Sequence, residues 1–570
     1  MTPPTAHPAA DVHTVSFVSL GCPKNLVDSE KMLGLLAEDG LVPVSHDAGE
    51  RADAIVVNTC GFLEASKEES LEVIRDAVRR KEAGEVKRVI VAGCLVQRHR
   101  AKMFEWAPGI DAMIGVFDRD RIVEAVRGAP APGGTSGGAS GGASGATSGG
   151  GARDSLAHAS DKPRYWINAN ALTAARERGL PTVGLTVQGK DGKGLGYFES
   201  DAARMRLTPR HFAYLRVSEG CNQACAFCTI PSIRGKMRSK PLDRIRDEAI
   251  ELIRDGAFEL NLIGQDTTSY GDDIGCGLAP NAAGLGRDYR AMGGLPAMLA
   301  AINDAVAREG AAGWVRLMYA YPTNFSDEMI GAIADLPHIV KYIDIPLQHA
   351  SDSVLARMRR NVTGAHQREL MEKLRERIPG VAIRTTFITG FPGETEADHE
   401  ELLAFIEDVR FDALGVFEYS HEDNTPAGTM EDDPALRVPP EVKARRHDEI
   451  MRLQQEIAFD QASYLAEQFD PADPANSGVR FDVLIDGPSE AAPTPPASIT
   501  DRRAGAPTHA GTGRAYFQAP QVDSVTHVLS RERLSPGELV RCTIVGSDGY
   551  DLIAVPSVEL DRRASLPVIG

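Results

Sequence analysis

Apolar runs alternate with helical stretches along most of the chain. Val15 to Leu20, Ala54 to Asn58 and Val86 to Ala92 read as strands, with helix-period segments at Asn25 to Glu38 and Glu64 to Glu82 between them. Apolar strands separated by helices predict a parallel sheet covered on both faces. A doubly wound α/β domain is therefore expected over 12–127. The same alternation resumes at Phe212 to Val217 and recurs at Leu260 to Ile263, Trp314 to Met318, Tyr342 to Ile345, Ile383 to Ile388 and Ala413 to Phe417. Six such repeats over 206–450 predict a partial (β/α)6 barrel, a shortened TIM-like form. Glu441 to Gln468 reads as one long helix, and the remainder of 451–570 as a small five-stranded β-barrel, carried by FDVLID from 481, RAYFQA from 514, ELVRCTIVG from 538 and YDLIAV from 550.

Two stretches break this order. Residues 128–151 are almost wholly Gly, Ser, Ala, Pro and Thr, with GGAS recurring, and lack the large apolar side chains that offset ordering entropy, so they predict a tether. Residues 152–205 complete this linker and insertion; in them Tyr165, Trp166 and LPTVGLTV would form at most a small hairpin. Residues 487–512, rich in Pro, Ala and Thr, read as a long loop in the terminal barrel.

Composition narrows the class. At 570 residues, 42% apolar and 25% charged, the chain is an ordinary multidomain globular protein. No apolar run reaches the roughly 20 residues a membrane helix needs, and the N-terminus lacks a secretory pattern, so no membrane partner and a cytoplasmic location are expected. The net charge of −18 argues against bulk nucleic-acid binding by a general basic surface.

The eight cysteines carry the chemistry, since disulfides are rare in a reducing compartment. Cys221, Cys225 and Cys228 form CNQACAFC directly after the first barrel strand. Three thiolates converging in one loop suit a four-iron cluster with one iron left open, while zinc, which normally takes four protein ligands, is the competing reading. Cys22, Cys60 and Cys94 each fall within two residues of the carboxyl end of an apolar strand. Those ends share one sheet edge in a parallel sheet, so a second three-thiolate cluster is expected there, against the alternative of three independent buried thiols. Cys276, among Gly, Asn and Pro, reads as a free loop thiol, and Cys542, alternating with Val540 and Ile544, as strand core.

C221NQACAFC228, with Phe227 before the last cysteine, resembles the radical S-adenosylmethionine superfamily. That resemblance implies that S-adenosyl-L-methionine binds the open iron and is cleaved to a 5′-deoxyadenosyl radical. Further cofactor contacts are expected from strand ends of the barrel: Gln265 and Asp266 in GQDTTSYG, Gln348 in PLQHAS, and Arg384 with Gly390 in RTTFITGFPGE. SLGCPKNLVDSEKMLGLL, VVNTCGF, VAGCL, PSIRGKMRSKP and FITGFPGET extend the match to the methylthiotransferase family, with the tail similar to a TRAM domain. LGCPKNLVDSE and LTPRHFAYLRVSEGC resemble the branch that modifies a ribosomal protein. Its tRNA-modifying relatives usually carry GCQMN-like residues where this chain has Gly21 to Asn25.

The resemblance implies two [4Fe-4S] clusters, and a methylthio group placed on the β-carbon of an aspartate in ribosomal protein S12 of the small subunit. It also implies an electron donor such as a flavodoxin or ferredoxin, and a sulfur donor. Departures lie at 128–205, at 274–292 with Cys276, and at 487–512, clear of the six matched cysteines. The alternatives are methylthiolation of an adenosine in tRNA, with Arg234, Lys236, Arg238 and Lys240 gripping phosphates, and a non-catalytic metal-stabilised RNA-binding module. From Ala466 onward 14 acidic residues face 9 arginines and no lysine, a net charge of −5, which favours docking a basic protein through residues such as Asp482, Asp486 and Asp523.

Overall fold

The computed structural model describes residues 12–45, 51–100, 102–128, 164–166, 201–310, 313–489 and 507–561. The Gly/Ser-rich tether, LPTVGLTV and most of the 487–512 segment lie outside the described residues. The chain divides into two compact units: residues up to 180 together with 201–205, and 181–200 together with 206 to the C-terminus.

The first unit is a parallel sheet of six strands: β1 (Thr14–Ser19), β2 (Val42–Val44), β3 (Ala54–Thr59), β4 (Arg88–Gly93), β5 (Ala112–Ile114) and β6 (Arg164–Trp166). They lie in the order β2-β1-β3-β4-β5-β6. Because side chains alternate across a strand, Ala54 and Val56 of β3 pack on one face with Met32 and Leu36 of helix α1 (Pro23–Glu38). Ile55 and Val57 pack on the other with Leu71 and Ile74 of helix α2 (Glu64–Glu82). Tyr165 and Trp166 belong to β6, which pairs in parallel with β5. Strand order reverses between β1 and β3, the point at which open α/β sheets leave a crevice.

The second unit contains six parallel strands, β7 (Phe212–Arg216), β8 (Glu259–Ile263), β9 (Trp314–Leu317), β10 (Ile339–Asp344), β11 (Ala382–Thr389) and β12 (Ala413–Glu418), side by side in sequence order as the repeats predicted. Ala213, Leu215, Leu260, Leu262, Val315 and Leu317 face the surrounding helices in one continuous core. The alternate residues face the lumen, where Met318, Val340, Tyr342 and Ala382 meet Ala519, Tyr516 and Phe517 of the C-terminal barrel.

That C-terminal barrel is closed, in the order β13-β14-β15-β17-β16. Its strands are β13 (Arg480–Pro488), β14 (His509–Ala515), β15 (Thr526–Ser530), β16 (Leu539–Asp548) and β17 (Asp551–Pro556). RAYFQA is a strand only at Arg514 and Ala515, after which the chain turns into the lumen contacts; β15 completes the five strands with a segment the hydropathy pattern had not marked. The expected long helix spans Pro440–Glu467.

A buried ionic layer ties the terminal barrel to the strands. Glu259 accepts from Arg316 at 2.7 Å and from Arg514 at 2.5 Å, and Arg514 also reaches Asp486 at 2.8 Å. His211 Nε2 lies 2.8 Å from Asp486, the Tyr342 hydroxyl donates to Asp523 at 2.7 Å, and Arg384 bridges Asp344 at 2.9 Å and Asp523 at 3.2 Å. Asp486 and Asp523 therefore point back into the protein. Of the three acids expected to dock a partner, only Asp482 faces solvent, beside Arg541 at 3.3 Å.

Candidate functional site

The CNQACAFC loop is fixed from several sides. Gly220 takes φ 76, and a Cβ there would sit 2.3 Å from the Lys236 carbonyl oxygen, so glycine alone lets Ser218–Glu219 pair with Arg238–Ser239 this tightly. Cys221 N donates to Gly235 O at 3.2 Å, Ala226 N to Met358 O at 2.9 Å, and Ala427 N to Ala226 O at 3.0 Å. Burial pushes the Cys221 thiol up to about 11 and the Cys228 thiol up to about 12, and the neighbouring Cys225 adds to both shifts.

With their thiols held up by desolvation, Cys221 and Cys228 give up their protons most readily to a positively charged ligand. Among the described residues no group of three or more His, Cys, Asp or Glu side chains is arranged to hold a single metal ion. An iron-sulfur cube instead takes each thiolate on a different iron.

Around this loop stand most of the residues expected to meet the cofactor. Gln265 Nε2 donates to Glu219 at 3.0 Å, while its Oε1 is buried with no partner, an orphaned acceptor suited to a ligand N–H. Asp266 accepts from Gln223 Nε2, Thr268 Oγ1 and Ser269 Oγ at 2.7–2.8 Å, so its carboxylate braces the cysteine loop. Phe227 packs edge-on against Phe391, with ring centroids 6.5 Å apart. Gln348 holds φ 74 and bridges to Phe387 through its backbone. At Gly390 a Cβ would meet Lys443 Cγ at 2.4 Å, which assigns this glycine to close packing. Arg384 is the exception: its guanidinium is committed to Asp344 and Asp523 near the start of β11, away from the cysteine loop.

Glu219, not among the expected cofactor contacts, also belongs to this site. Burial would raise its carboxyl, but Arg234, Arg216 and Arg238 outweigh that and hold it well below the usual range. It accepts from Arg216 at 2.8 Å and Arg234 at 2.9 Å. The basic run is accordingly no phosphate comb. Arg234, Arg238 and Lys240 are buried and Lys240 pairs with Glu248; of the four only Lys236 is exposed.

In the first unit, Cys22 caps α1, Cys60 directly follows β3, and Cys94 directly follows β4 as the first residue of helix α3 (Cys94–His99). The three loops touch through glycines. A Cβ on Gly21, which takes φ 87, would lie 2.7 Å from Cys60 Cβ; one on Gly61 would lie 2.7 Å from Leu95 Cα. Asn25 Nδ2 donates to Leu20 O at 2.6 Å and to Thr59 O at 3.3 Å, joining the Cys22 and Cys60 loops. The carboxyl edge of adjacent strands thus gathers all three thiols. The remaining cysteines lie apart from these groups, Cys276 exposed and Cys542 fully buried.

A six-stranded parallel partial barrel with a three-cysteine loop at the carboxyl end of its first strand defines a radical S-adenosylmethionine enzyme. Residues 215–406 match the family model described as Radical SAM superfamily, 14–115 match Uncharacterized protein family UPF0004, and 498–556 match TRAM domain. The protein named ribosomal protein uS12 methylthiotransferase RimO of Desulforamulus reducens is 35% identical over 95% of this chain and 98% of its own. Its namesake in Anaeromyxobacter sp. (strain K) is 37% identical over 96% of this chain and 94% of its own. Among solved structures, the radical S-adenosylmethionine methyltransferase TsrM from Kitasatospora setae, with cobalamin and a [4Fe-4S] cluster bound, aligns at TM-score 0.47 and 13% identity, covering 75% of this chain and 80% of that one. The chain belongs to the RimO family of radical S-adenosylmethionine methylthiotransferases. It is an enzyme that uses S-adenosyl-L-methionine and [4Fe-4S] clusters.

Proposed function

We propose that this enzyme places a methylthio group on the β-carbon of an aspartate in ribosomal protein uS12. The observation that carries the reading is the presence of two separate three-cysteine sites in a chain that aligns over 95% of its length with a uS12 methylthiotransferase. Cys221, Cys225 and Cys228 would hold the cluster that binds S-adenosyl-L-methionine, and Cys22, Cys60 and Cys94 the second. When bound, these groups would supply a carbon radical and a sulfur site, chemistry that no acid or base side chain offers at an unactivated C–H bond.

The chain's own residues position and shield this chemistry. Asp266 and Glu219 brace the cysteine loop, Gln265 offers a free acceptor, and Phe227 with Phe391 lines its apolar side. A low-potential one-electron donor such as a flavodoxin or ferredoxin, and a separate sulfur donor, complete the reaction in the cytoplasm. No helix of the described residues is long and apolar enough to cross a membrane. Burial of Arg234, Arg238 and Lys240 removes the feature that favoured tRNA. The test is mass spectrometry of uS12 and of tRNA from cells with and without the gene: the methylthio increment should vanish from uS12 alone, and its loss from tRNA alone would overturn the assignment.

A further inference from the structure

Among the described residues, the cysteine loop has a cationic neighbour in contact with a sulfur. Arg360 is 6% exposed and donates from Nη1 to Cys225 Sγ at 3.7 Å. Two contacts fix the guanidinium there: Nη2 donates to Pro346 O at 2.7 Å, and the ion lies over the Tyr321 ring, 4.2 Å from its centroid. The Tyr321 hydroxyl lies close enough to Cys225 for the two to interact electrostatically. Backbone geometry holds the segment in register, because Ala226 N, next to Cys225, donates to Met358 O two residues before Arg360. An opposing charge, Asp266, acts on Cys221 and is already bound by Gln223, Thr268 and Ser269.

We propose that Arg360 and Tyr321 are positioning residues that tune the radical-generating cluster through Cys225, making it easier to reduce. Adding one electron makes a cluster more negative. A buried cation and hydrogen bonds at a ligating sulfur stabilise the reduced form relative to the oxidised one and raise the reduction potential. In a desolvated site neither effect is screened as it would be in water. Arginine suits the role because it stays charged at every working pH and its planar fork serves Pro346 O and the sulfur together.

This inference rests on the reading that Cys221, Cys225 and Cys228 hold a cluster. Iron content and an electron paramagnetic resonance signal altered by added S-adenosyl-L-methionine, both in the unsubstituted enzyme, test that reading separately. The experiment for Arg360 is a redox titration of the same signal in the reconstituted full-length chain, comparing Arg360→Gln, Arg360→Lys and Tyr321→Phe. Arg360→Gln should keep its iron and shift the midpoint to lower potential. Arg360→Lys should recover part of the shift, and Tyr321→Phe should give a smaller shift in the same direction. An unchanged midpoint in Arg360→Gln with full iron content would overturn the proposal. So would loss of iron in both Arg360 variants, which would make the residue a scaffold for the loop.

Discussion

Asn58 Nδ2 donates to the carbonyl oxygen of Asn25 at 2.8 Å, and this bond couples the strand that delivers Cys60 to the helix that Cys22 caps. The same nitrogen reaches Ser29 Oγ at 2.8 Å, and Asn58 is fully buried at the carboxyl end of β3. Asn58→Asp keeps the shape but replaces a donor with a carboxylate facing a carbonyl. Loss of a buried hydrogen bond with a polar group left unpaired costs about 1–3 kcal/mol. The variant should unfold at lower temperature in a melting scan and should lose iron from the N-terminal site, seen as a lower iron-to-protein ratio.

Cys22, Cys60 and Cys94 lie in a different compact unit from Cys221, Cys225 and Cys228, so the two triads should load independently. Changing the first triad to Ala should remove about half the iron, as expected of two four-iron clusters, and leave 5′-deoxyadenosine formation at least partly intact. Retention of all the iron would rule out the N-terminal cluster.

Asp523 and Asp482 separate the structural from the surface acids of the terminal barrel. Asp523 is buried against Tyr342, Arg384 and Ala519 N, whereas Asp482 is about half exposed. Asp523→Ala strips Arg384 of one of two partners inside the protein, and breaking a buried pair typically costs about 3–5 kcal/mol. Asp482→Lys should change stability by only about 0.5 kcal/mol. Thermal unfolding distinguishes them; an Asp523 variant as stable as the parent would show that the lumen contacts contribute little.

His349 should give stability a pH dependence. It is fully buried, and that burial pulls its pKa down to about 3, with His399, Arg357 and Arg446 adding to the effect and Asp398 opposing it. The unfolded chain takes up this proton near the ordinary histidine value of about 6.5. Between those two values the unfolded state binds more protons than the folded one, so stability is complete above pH 6.5 and falls as pH drops toward 3. The slope from one such group is at most about 1.4 kcal/mol per pH unit. His349→Gln should flatten this part of the profile in melting experiments run from pH 7 down to 5.

The two cysteine triads were legible because strand ends are marked by hydropathy and a parallel sheet places those ends on one edge. Position along a strand was harder to read for other residues. Arg384 lies in a motif-rich run, but its third place in β11 turns it toward Asp523, not toward the cysteines. Glu219, Arg360 and Tyr321 were passed over because each owes its role to partners brought in by the fold: Glu219 to Arg234, 15 residues away, and Arg360 to Cys225, 135 residues away.

By itself, the sequence determined the main alternation of strands and helices, the parallel architecture of both α/β units, the small β-barrel at the end and the six cysteines. Each of these follows from local periodicity and from spacing relative to strand ends. Tertiary structure alone decided what the charges do. Arg234, Arg238, Asp486 and Asp523 looked like surface contacts for phosphate or protein, yet all four are taken up in ion pairs or hydrogen bonds inside the protein. Hydropathy cannot tell a charge that stays in water from one buried beside its counter-ion, because the difference depends on a partner far away in the chain.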